Sequence, residues 1–298
     1  MNAKAALRSM RLRTLPLSLA GVVLGVLLAG AGHCVDALTV VLLLLTTVSL
    51  QVLSNLSNEL GDTLSGTDRA DRQGIRYSLQ DGEMTVPQMK RLILFFACLS
   101  AAVGSAMVFS AFGSFRDPLA GAFLLLGAAA IWAAMHYTLG KRPYGYRGLG
   151  DLFVFLFFGL ATVWGGYFLT CREWSWGLLL PAAAIGCFSV AVLNVNNIRD
   201  MKSDAATRVT VAMRMGERNA RIYQTVLLVT GWALMTAYVQ LEPPVTVWRF
   251  LFALTIPGFM KHIFGVWTLR DRELDPMLPL LVICTFVFAV LSGVGFYF

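Results

Sequence analysis

The 298-residue sequence has little charge and few residues that bind soft metals. Charged residues make up 14% of the chain, against about 25% in soluble domains. Hydrophobic residues make up 57%, and the mean hydropathy is +0.68. This composition excludes an ordinary soluble domain and predicts an integral membrane protein. The three histidines are far apart and the five cysteines show no paired spacing, so neither a histidine-based metal site nor a disulfide framework is expected.

Nine runs of about 18 to 22 weakly charged residues have the length that a helix needs to cross a bilayer. They cover residues 14–32, 37–57, 92–112, 118–139, 152–170, 177–198, 220–239, 247–267 and 277–297. We therefore expect an all-α, polytopic membrane protein with about nine transmembrane helices in a single domain, residues 1–298. The basic stretch before the first run lacks a convincing cleavage site, so that run is expected to be retained.

The net charge of +7 is spread over the connections between the runs and does not form one patch. If the N-terminus lies in the cytoplasm, 21 of the 24 Lys and Arg residues fall on the inner side. Such a bias is typical of the orientation of membrane proteins. The sequence thus predicts a cytoplasmic N-terminus, an external C-terminus, the lipid bilayer as surroundings and no nucleic-acid partner.

Two polar segments combine asparagine with spaced carboxylates, and each stands at the end of an apolar run. The first is Asn55–Asp71 and the second is Asn194–Asp204. Each leads into a long polar connection, residues 58–91 and 199–219, on the predicted inner side. Either segment alone could be a solvated helix end, but the two together are expected to face one another.

Residues four apart share one face of a helix, so each segment is predicted to carry an acidic stripe. The stripes are Asn58 with Asp62, and Asn196 with Asp200 and Asp204. Neighbouring carboxylates repel one another unless cations compensate their charge. Neither segment contains His or Cys, and a set of oxygen ligands alone favours Mg²⁺.

A third segment, His136–Asp151, interleaves tyrosines and basic residues with glycines on the same predicted side. A glycine-containing basic loop can approach an anion closely. Its composition fits an interfacial anchor of aromatic and basic residues equally well. Its position on the side of the acidic segments favours a functional role.

In this order, the motifs resemble those of the UbiA superfamily of intramembrane prenyltransferases. The closest resemblance is to the branch that prenylates 1,4-dihydroxy-2-naphthoate in bacterial menaquinone biosynthesis. The family motif N-D-x-x-D, with a further Asp in this branch, is matched by Asn58, Glu59, Asp62 and Asp68, where Glu59 replaces the usual Asp. The second motif, N-N-x-R-D-x-x-x-D, is matched from Asn196 to Asp204.

Two further stretches are similar to the naphthoate branch, P-Y-G-Y-R-G-L-G-D at Pro143–Asp151 and R-L-R-T-L-P at Arg11–Pro16. A Gly-Lys-x-Thr element that often follows the second motif is replaced here by Thr207–Thr210. The resemblance covers nearly the whole chain. It implies a central cavity whose active site lies at the cytoplasmic end, capped by the two long polar connections.

The resemblance also implies a reaction, in the bacterial cytoplasmic (inner) membrane. A polyprenyl group would pass from polyprenyl diphosphate to 1,4-dihydroxy-2-naphthoate with loss of carbon dioxide, giving a demethylmenaquinol. Magnesium ions held by the acidic motifs would bind the diphosphate.

The residues that this resemblance assigns fall into two groups. Metal binding is expected from Asn58, Asp62, Asp68, Asp200 and Asp204, of which the four aspartates are also expected to be catalytic. Contacts with the diphosphate or the acceptor are expected from Asn58, Asn197, Arg199, Tyr137, Lys141, Tyr144, Arg147 and Arg13. A metal-binding role for Glu59 and Asp71 is left open.

Two alternatives stay open at this stage. A superfamily member that prenylates 4-hydroxybenzoate would carry the same acidic motifs. An ion-coupled transporter would also place carboxylates within a helical bundle. Its site is expected near the middle of the membrane, whereas the carboxylates here lie at the ends of the runs on one side.

Overall fold

The computed structural model describes residues 3–33, 35–67, 77–205 and 207–298. Within these ranges, nine helical spans are long and apolar enough to cross a membrane, which confirms the predicted fold class. The helices are α1 Ala3–Met10, α2 Leu15–Gly30, α3 Ala37–Ser65, α4 Val86–Phe112, α5 Pro118–His136, α6 Gly150–Val154, α7 Thr162–Cys171, α8 Leu179–Arg199, α9 Met201–Asp204, α10 Val211–Met215, α11 Glu217–Leu241, α12 Ile256–Thr268 and α13 Met277–Val294.

Two of the spans contain segments of 7 or 9 residues that are not α-helical. A π-helical segment, Phe155–Ala161, joins α6 to α7, so that Gly150–Cys171 crosses as one span. A 3₁₀ segment, Val247–Thr255, precedes α12 in another. A π-helical segment widens the helix locally and is frequent at functional sites.

The polar connections begin later than the sequence indicates. Helix α3 continues through Asn58 and Asp62 to Ser65 and ends at Gly66, which has a positive φ of 73°. The side chains predicted for the first connection therefore project from a regular helix. The second connection is folded as well, since it contains α9 and α10.

Helices α2 and α7 cross at very close range. A Cβ atom at Gly21 would overlap the side chain of Thr162, and one at Gly25 would overlap the backbone of Val163. Small residues allow backbones to approach in this way within membranes. The close crossing holds the second half of the first span against the middle of the fifth.

A chain of buried hydrogen bonds fixes α8 to the last three long helices. Asn194 Nδ2 donates to Gln224 Oε1 at 2.8 Å. Gln224 Nε2 lies 2.9 Å from His262 Nε2, and His262 Nδ1 lies 3.0 Å from the carbonyl oxygen of Met277. Polar groups inside the membrane must find such partners. These bonds position the end of α8, where the second acidic motif begins.

Candidate active site

One cavity of about 440 Å³ lies among α2, α3, α5, the fifth span and α8. Polar side chains line one end of the cavity, the polar end, at the C-terminal ends of α3 and α8. Apolar side chains line the rest of its depth. The polar set is Arg11, Arg13, Gln51, Asn55, Asn58, Asp62, Tyr77, Asn196, Arg199 and Arg208. Such a shape suits a molecule with an anionic head and a hydrocarbon tail.

Helix α3 supplies one wall of the polar end. Asn58 and Asp62 lie four residues apart on the face that borders the cavity. Asp62 is buried, and its Oδ1 accepts a 2.7 Å hydrogen bond from the hydroxyl of Tyr146. The first acidic motif is thus aimed into the cavity from a rigid helix.

The segment after α5 packs directly on this wall. A Cβ atom at Gly61 would lie 2.5 Å from the side chain of Thr138, so only glycine allows this approach. Thr138 Oγ1 donates to the carbonyl oxygen of Ser57 at 3.0 Å and to Asn58 Oδ1 at 3.3 Å. The contact orients the Asn58 amide at the mouth of the cavity.

The second acidic motif stands at the end of α8 and is held by arginines. Arg199 binds both oxygens of Asp200, through Nε at 2.7 Å and Nη2 at 2.6 Å. Its Nη1 also donates to Asp275 at 2.8 Å, and Asp204 forms an ion pair with Arg208. Bidentate pairs of this kind are among the strongest charge-assisted contacts.

Arg208 lies within the field of both acidic motifs. Burial disfavours its charged form, but the carboxylate of Asp204 and then that of Asp62 outweigh burial and raise its pKa. Between the same groups lies Tyr137, whose pKa burial raises to about 12, so its hydroxyl stays protonated. Asn196 and Arg199 of the second motif line the same cavity as Asn58 and Asp62, whereas Asp200 and Asp204 are buried outside its lining.

The other predicted site residues that the structure describes contribute no free polar group to the cavity or lie outside its lining. Tyr144 borders the cavity, but its hydroxyl donates to the carbonyl oxygen of Ala133 at 2.8 Å. Lys141 and Arg147 are exposed and outside the cavity lining, and Asn197 is buried outside it. Asp68 and Asp71 lie outside the described residues.

Glu59 points away from the cavity. The residue is fully buried, and its Oε1 accepts a 2.8 Å hydrogen bond from the backbone N–H of Leu79. Its Oε2 is buried with no hydrogen-bond partner among the described residues. Glu59 therefore anchors the turn before α4 to α3.

Sequence reasoning did not assign a role to Arg11, which lines the polar end. Its backbone is left-handed, with φ of 51°, and its guanidinium lies 3.8 Å from the centre of the Tyr77 ring. Nε and Nη2 of Arg11 are buried and have no hydrogen-bond partner among the described residues. Arg13 Nη2 donates to the Tyr77 hydroxyl at 2.9 Å. The R-L-R-T-L-P stretch signalled this region, but not the left-handed turn.

The donor atoms at the polar end fit magnesium in type, because they are carboxylate and amide oxygens. In the part of the chain that the structure describes, no three His, Cys, Asp or Glu side chains are grouped closely enough to hold a metal. The carboxylates of Asp200 and Asp204 are engaged by arginines instead. A metal ion at these carboxylates would compete with the arginines for the same oxygen atoms.

Comparisons with known proteins agree with these observations. The sequence model of the UbiA prenyltransferase family matches residues 18–278. The 1,4-dihydroxy-2-naphthoate octaprenyltransferase of Escherichia coli K12 is 40% identical over 275 residues, which cover 92% of this chain and 87% of that protein. The protein of the same name from Haemophilus influenzae is 36% identical, over 96% of this chain and 93% of its own length.

Solved structures show the same fold. A UbiA homolog from Aeropyrum pernix K1 superposes with a TM-score of 0.72 at 17% identity, over 96% of this chain and 97% of that one. A UbiA homolog from Archaeoglobus fulgidus bound to GPP and Mg²⁺ superposes with a TM-score of 0.71 at 18% identity, over 97% and 98%. With the nine candidate spans of its described residues and its two acidic motifs, the chain belongs to the UbiA prenyltransferase family.

Proposed function

We propose that the chain transfers a polyprenyl group from polyprenyl diphosphate to 1,4-dihydroxy-2-naphthoate, with loss of carbon dioxide. One observation carries the proposal: a single cavity joins an end rich in carboxylates and arginines to an apolar depth. The names of the relatives that are 40% and 36% identical support this acceptor and a long prenyl chain.

The donor diphosphate would lie between the ends of α3 and α8. Asn58, Asp62, Asp200 and Asp204 offer the oxygens that would hold magnesium, together with Asp68 from the sequence motif. When bound, magnesium would neutralise the diphosphate charge and so promote its departure. The structures of Archaeoglobus homologs with prenyl diphosphates and Mg²⁺ support this requirement.

Arg199 and Arg208 are the cations placed to receive the leaving diphosphate. Both line the cavity and are buried, so water screens their charge weakly. Fixed positive groups aimed at the site where negative charge develops lower the barrier to departure. Breaking the bond between the prenyl carbon and the diphosphate oxygen would leave an allylic cation within the cavity.

The acceptor carboxylate would bind at Arg11, with Arg13 and Tyr77 beside it. Leaving N–H groups buried and unpaired costs about 1–3 kcal/mol each, so Arg11 Nε and Nη2, which have no hydrogen-bond partner among the described residues, favour an anionic ligand. The ring carbon that bears the carboxylate would form the new bond to the prenyl carbon. The bond to the carboxylate carbon then breaks, its electrons return to the ring, and carbon dioxide leaves.

We place the protein in the bacterial inner membrane with its N-terminus in the cytoplasm. The inner side then receives 21 of the 24 Lys and Arg residues, as the positive-inside rule requires. The polar end of the cavity would open on this side.

An assay of the purified protein tests the proposal. Octaprenyl diphosphate would be supplied with 1,4-dihydroxy-2-naphthoate or with 4-hydroxybenzoate, and products would be resolved by mass. We expect a prenylated naphthalene diol and one carbon dioxide for each product molecule. Prenylation of 4-hydroxybenzoate with its carboxylate retained, while the naphthoate is ignored, would show that the acceptor is wrong although the family is right.

A further inference from the structure

The fifth span lines the cavity along its whole length at steps of four residues. The residues in contact with the cavity are Phe153, Val154, Phe157, Phe158, Ala161, Thr162, Gly165, Gly166 and Leu169. A face that repeats every four residues drifts by about 40° at each step of an α-helix, which has 3.6 residues per turn. Without a correction, the later residues of this set would turn out of the cavity.

The π-helical segment Phe155–Ala161 supplies that correction. Its wider turns hold more residues than α-helical turns, so each residue advances the face by a smaller angle. The segment lies in the middle of the lining set. One straight stripe of side chains therefore follows the cavity from its polar end into its depth.

The stripe changes from large to small side chains along its length. It begins with phenylalanines near the polar end, passes Ala161, and reaches the pair Gly165 and Gly166. On the opposite wall, Leu43 of α3 lines the cavity 19 residues before Asp62, a rise of roughly 28 Å along an α-helix. A Cβ atom at Gly166 would lie 3.7 Å from Leu43 Cδ2, so the glycine pair lies in the deep part of the cavity.

Phe123 of α5 lies next to Gly165 in this deep part of the cavity. A Cβ atom at Gly165 would lie 3.6 Å from Phe123 Cε1, which is ordinary contact. The Phe123 ring is fixed, because it stacks on Phe168 with 5.5 Å between ring centres and lies 5.9 Å from Phe112. A methyl group at Gly165 would therefore just touch Phe123, and a larger side chain would be turned by the fixed ring into the cavity and narrow it.

We infer that the wall formed by Gly165 and Phe123 determines how long a prenyl chain the donor can carry. The inference rests on the proposed function, since it assigns the deep part of the cavity to the prenyl tail. Short donors would end before this wall and long donors would extend along it. Bulk added at Gly165 would then exclude long donors and spare short ones.

The test compares geranyl diphosphate, with two isoprene units, and octaprenyl diphosphate, with eight, in the purified protein. We expect Gly165→Leu to lower kcat/KM for the octaprenyl donor by about tenfold or more relative to the geranyl donor, as expected when a hydrophobic pocket loses space. Gly165→Ala should match the wild type with both donors. Activity with the short donor reports that the variant is folded.

Gly121→Leu is the matched control. Gly121 lies two residues from Phe123 but outside the cavity lining, with no atom within 4 Å of the place of its Cβ, so the same added bulk should not change the ratio. If Gly165→Leu does not fold, Gly165→Val gives the same comparison with a smaller side chain. Combining Phe123→Ala with Gly165→Leu or with Gly165→Val should restore use of the octaprenyl donor.

The inference would be overturned if a folded Gly165→Leu or Gly165→Val variant kept the wild-type ratio of kcat/KM between the two donors, whether both values fall or neither does, while the wild type is active. A wild type that uses neither donor would instead refute the proposed function, and the inference with it. The two failures are therefore told apart by the wild-type assay alone.

Discussion

The hydroxyl of Tyr146 donates a 2.7 Å hydrogen bond to Oδ1 of Asp62. This bond joins the segment His136–Asp151 to the first acidic motif. The loop also reaches the second polar connection, because the N–H of Val209 donates to the carbonyl oxygen of Tyr146 at 3.1 Å. Tyr146 thus connects both sides of the candidate donor site. The sequence predicted contacts with the diphosphate or the acceptor for Tyr144 and Arg147 of this loop, but Tyr146 is the residue that donates to Asp62 of the first motif.

Replacing Tyr146 by Phe is expected to slow transfer with every acceptor. A hydrogen bond to a charged group contributes about 1.5–3 kcal/mol, which corresponds to a decrease of roughly tenfold to a hundredfold in kcat/KM. Tyr144→Phe is the matched control, because it removes only a bond to the carbonyl oxygen of Ala133. A Tyr146→Phe enzyme that loses activity with the naphthoate alone would contradict this role.

Asp62→Asn and Asp200→Asn are expected to abolish transfer, because each removes a negative charge from the metal and diphosphate site. Glu59→Gln serves as the control, since Glu59 accepts a bond from Leu79 and lies outside the cavity lining. The Glu59→Gln variant should retain most of the wild-type turnover. Steady-state rates with a fixed acceptor give the comparison, and an inactive Glu59→Gln protein that is folded would make Glu59 a metal ligand.

Arg11→Ala is expected to raise KM for 1,4-dihydroxy-2-naphthoate by about tenfold to a hundredfold, the effect of losing a charged hydrogen bond. Binding of 1,4-dihydroxynaphthalene, which lacks the carboxylate, should not change, as measured by its inhibition constant. Arg13→Ala should have the smaller effect, because Arg13 is already bonded to Tyr77. Equal weakening of both ligands by Arg11→Ala would argue against a carboxylate contact.

Removal of divalent metal with a chelator is expected to abolish product formation, and added Mg²⁺ should restore it. The reason is that the diphosphate must be neutralised before it can leave. Product can be followed by mass in detergent or in proteoliposomes. Full turnover in excess chelator would contradict the metal site that we propose.

Single cysteines in a cysteine-free protein test the orientation. Lys141→Cys is expected to react with an impermeant thiol reagent from the cytoplasmic side only, and Trp176→Cys from the outside only. Both positions are exposed in the structure, so accessibility does not limit labelling. Labelling in the opposite sense would reverse the topology inferred from charge.

The nine spans could be predicted because hydropathy and length alone determine which runs cross a bilayer. The acidic motifs could be predicted for the same kind of reason, since four-residue spacing places side chains on one helix face. The position at which α3 ends, Ser65, could not be predicted from the sequence. Asn58 and Asp62 look like the start of a loop in the sequence, but their polar side chains face a cavity inside the protein.

Other features of the site depend on contacts that the sequence does not show. Asn196 and Asn197 are adjacent, and only the packing of α8 decides that Asn196 lines the cavity while Asn197 does not. The left-handed turn at Arg11 is a backbone choice that few non-glycine residues make. The π-helical segment Phe155–Ala161 has the same hydropathy as an ordinary span, so its wider turns are invisible to that measure.

The arginine pairs at the end of α8 have a consequence for the order in which ligands bind. A cation that takes the carboxylate oxygens bound by Arg199 or Arg208 would displace that guanidinium, and a displaced guanidinium is then available to a phosphate group. We therefore expect metal and diphosphate each to make the other bind more tightly, and by thermodynamic linkage the factor is the same in both directions. We expect cooperative binding of a metal–diphosphate complex and a low affinity for free magnesium.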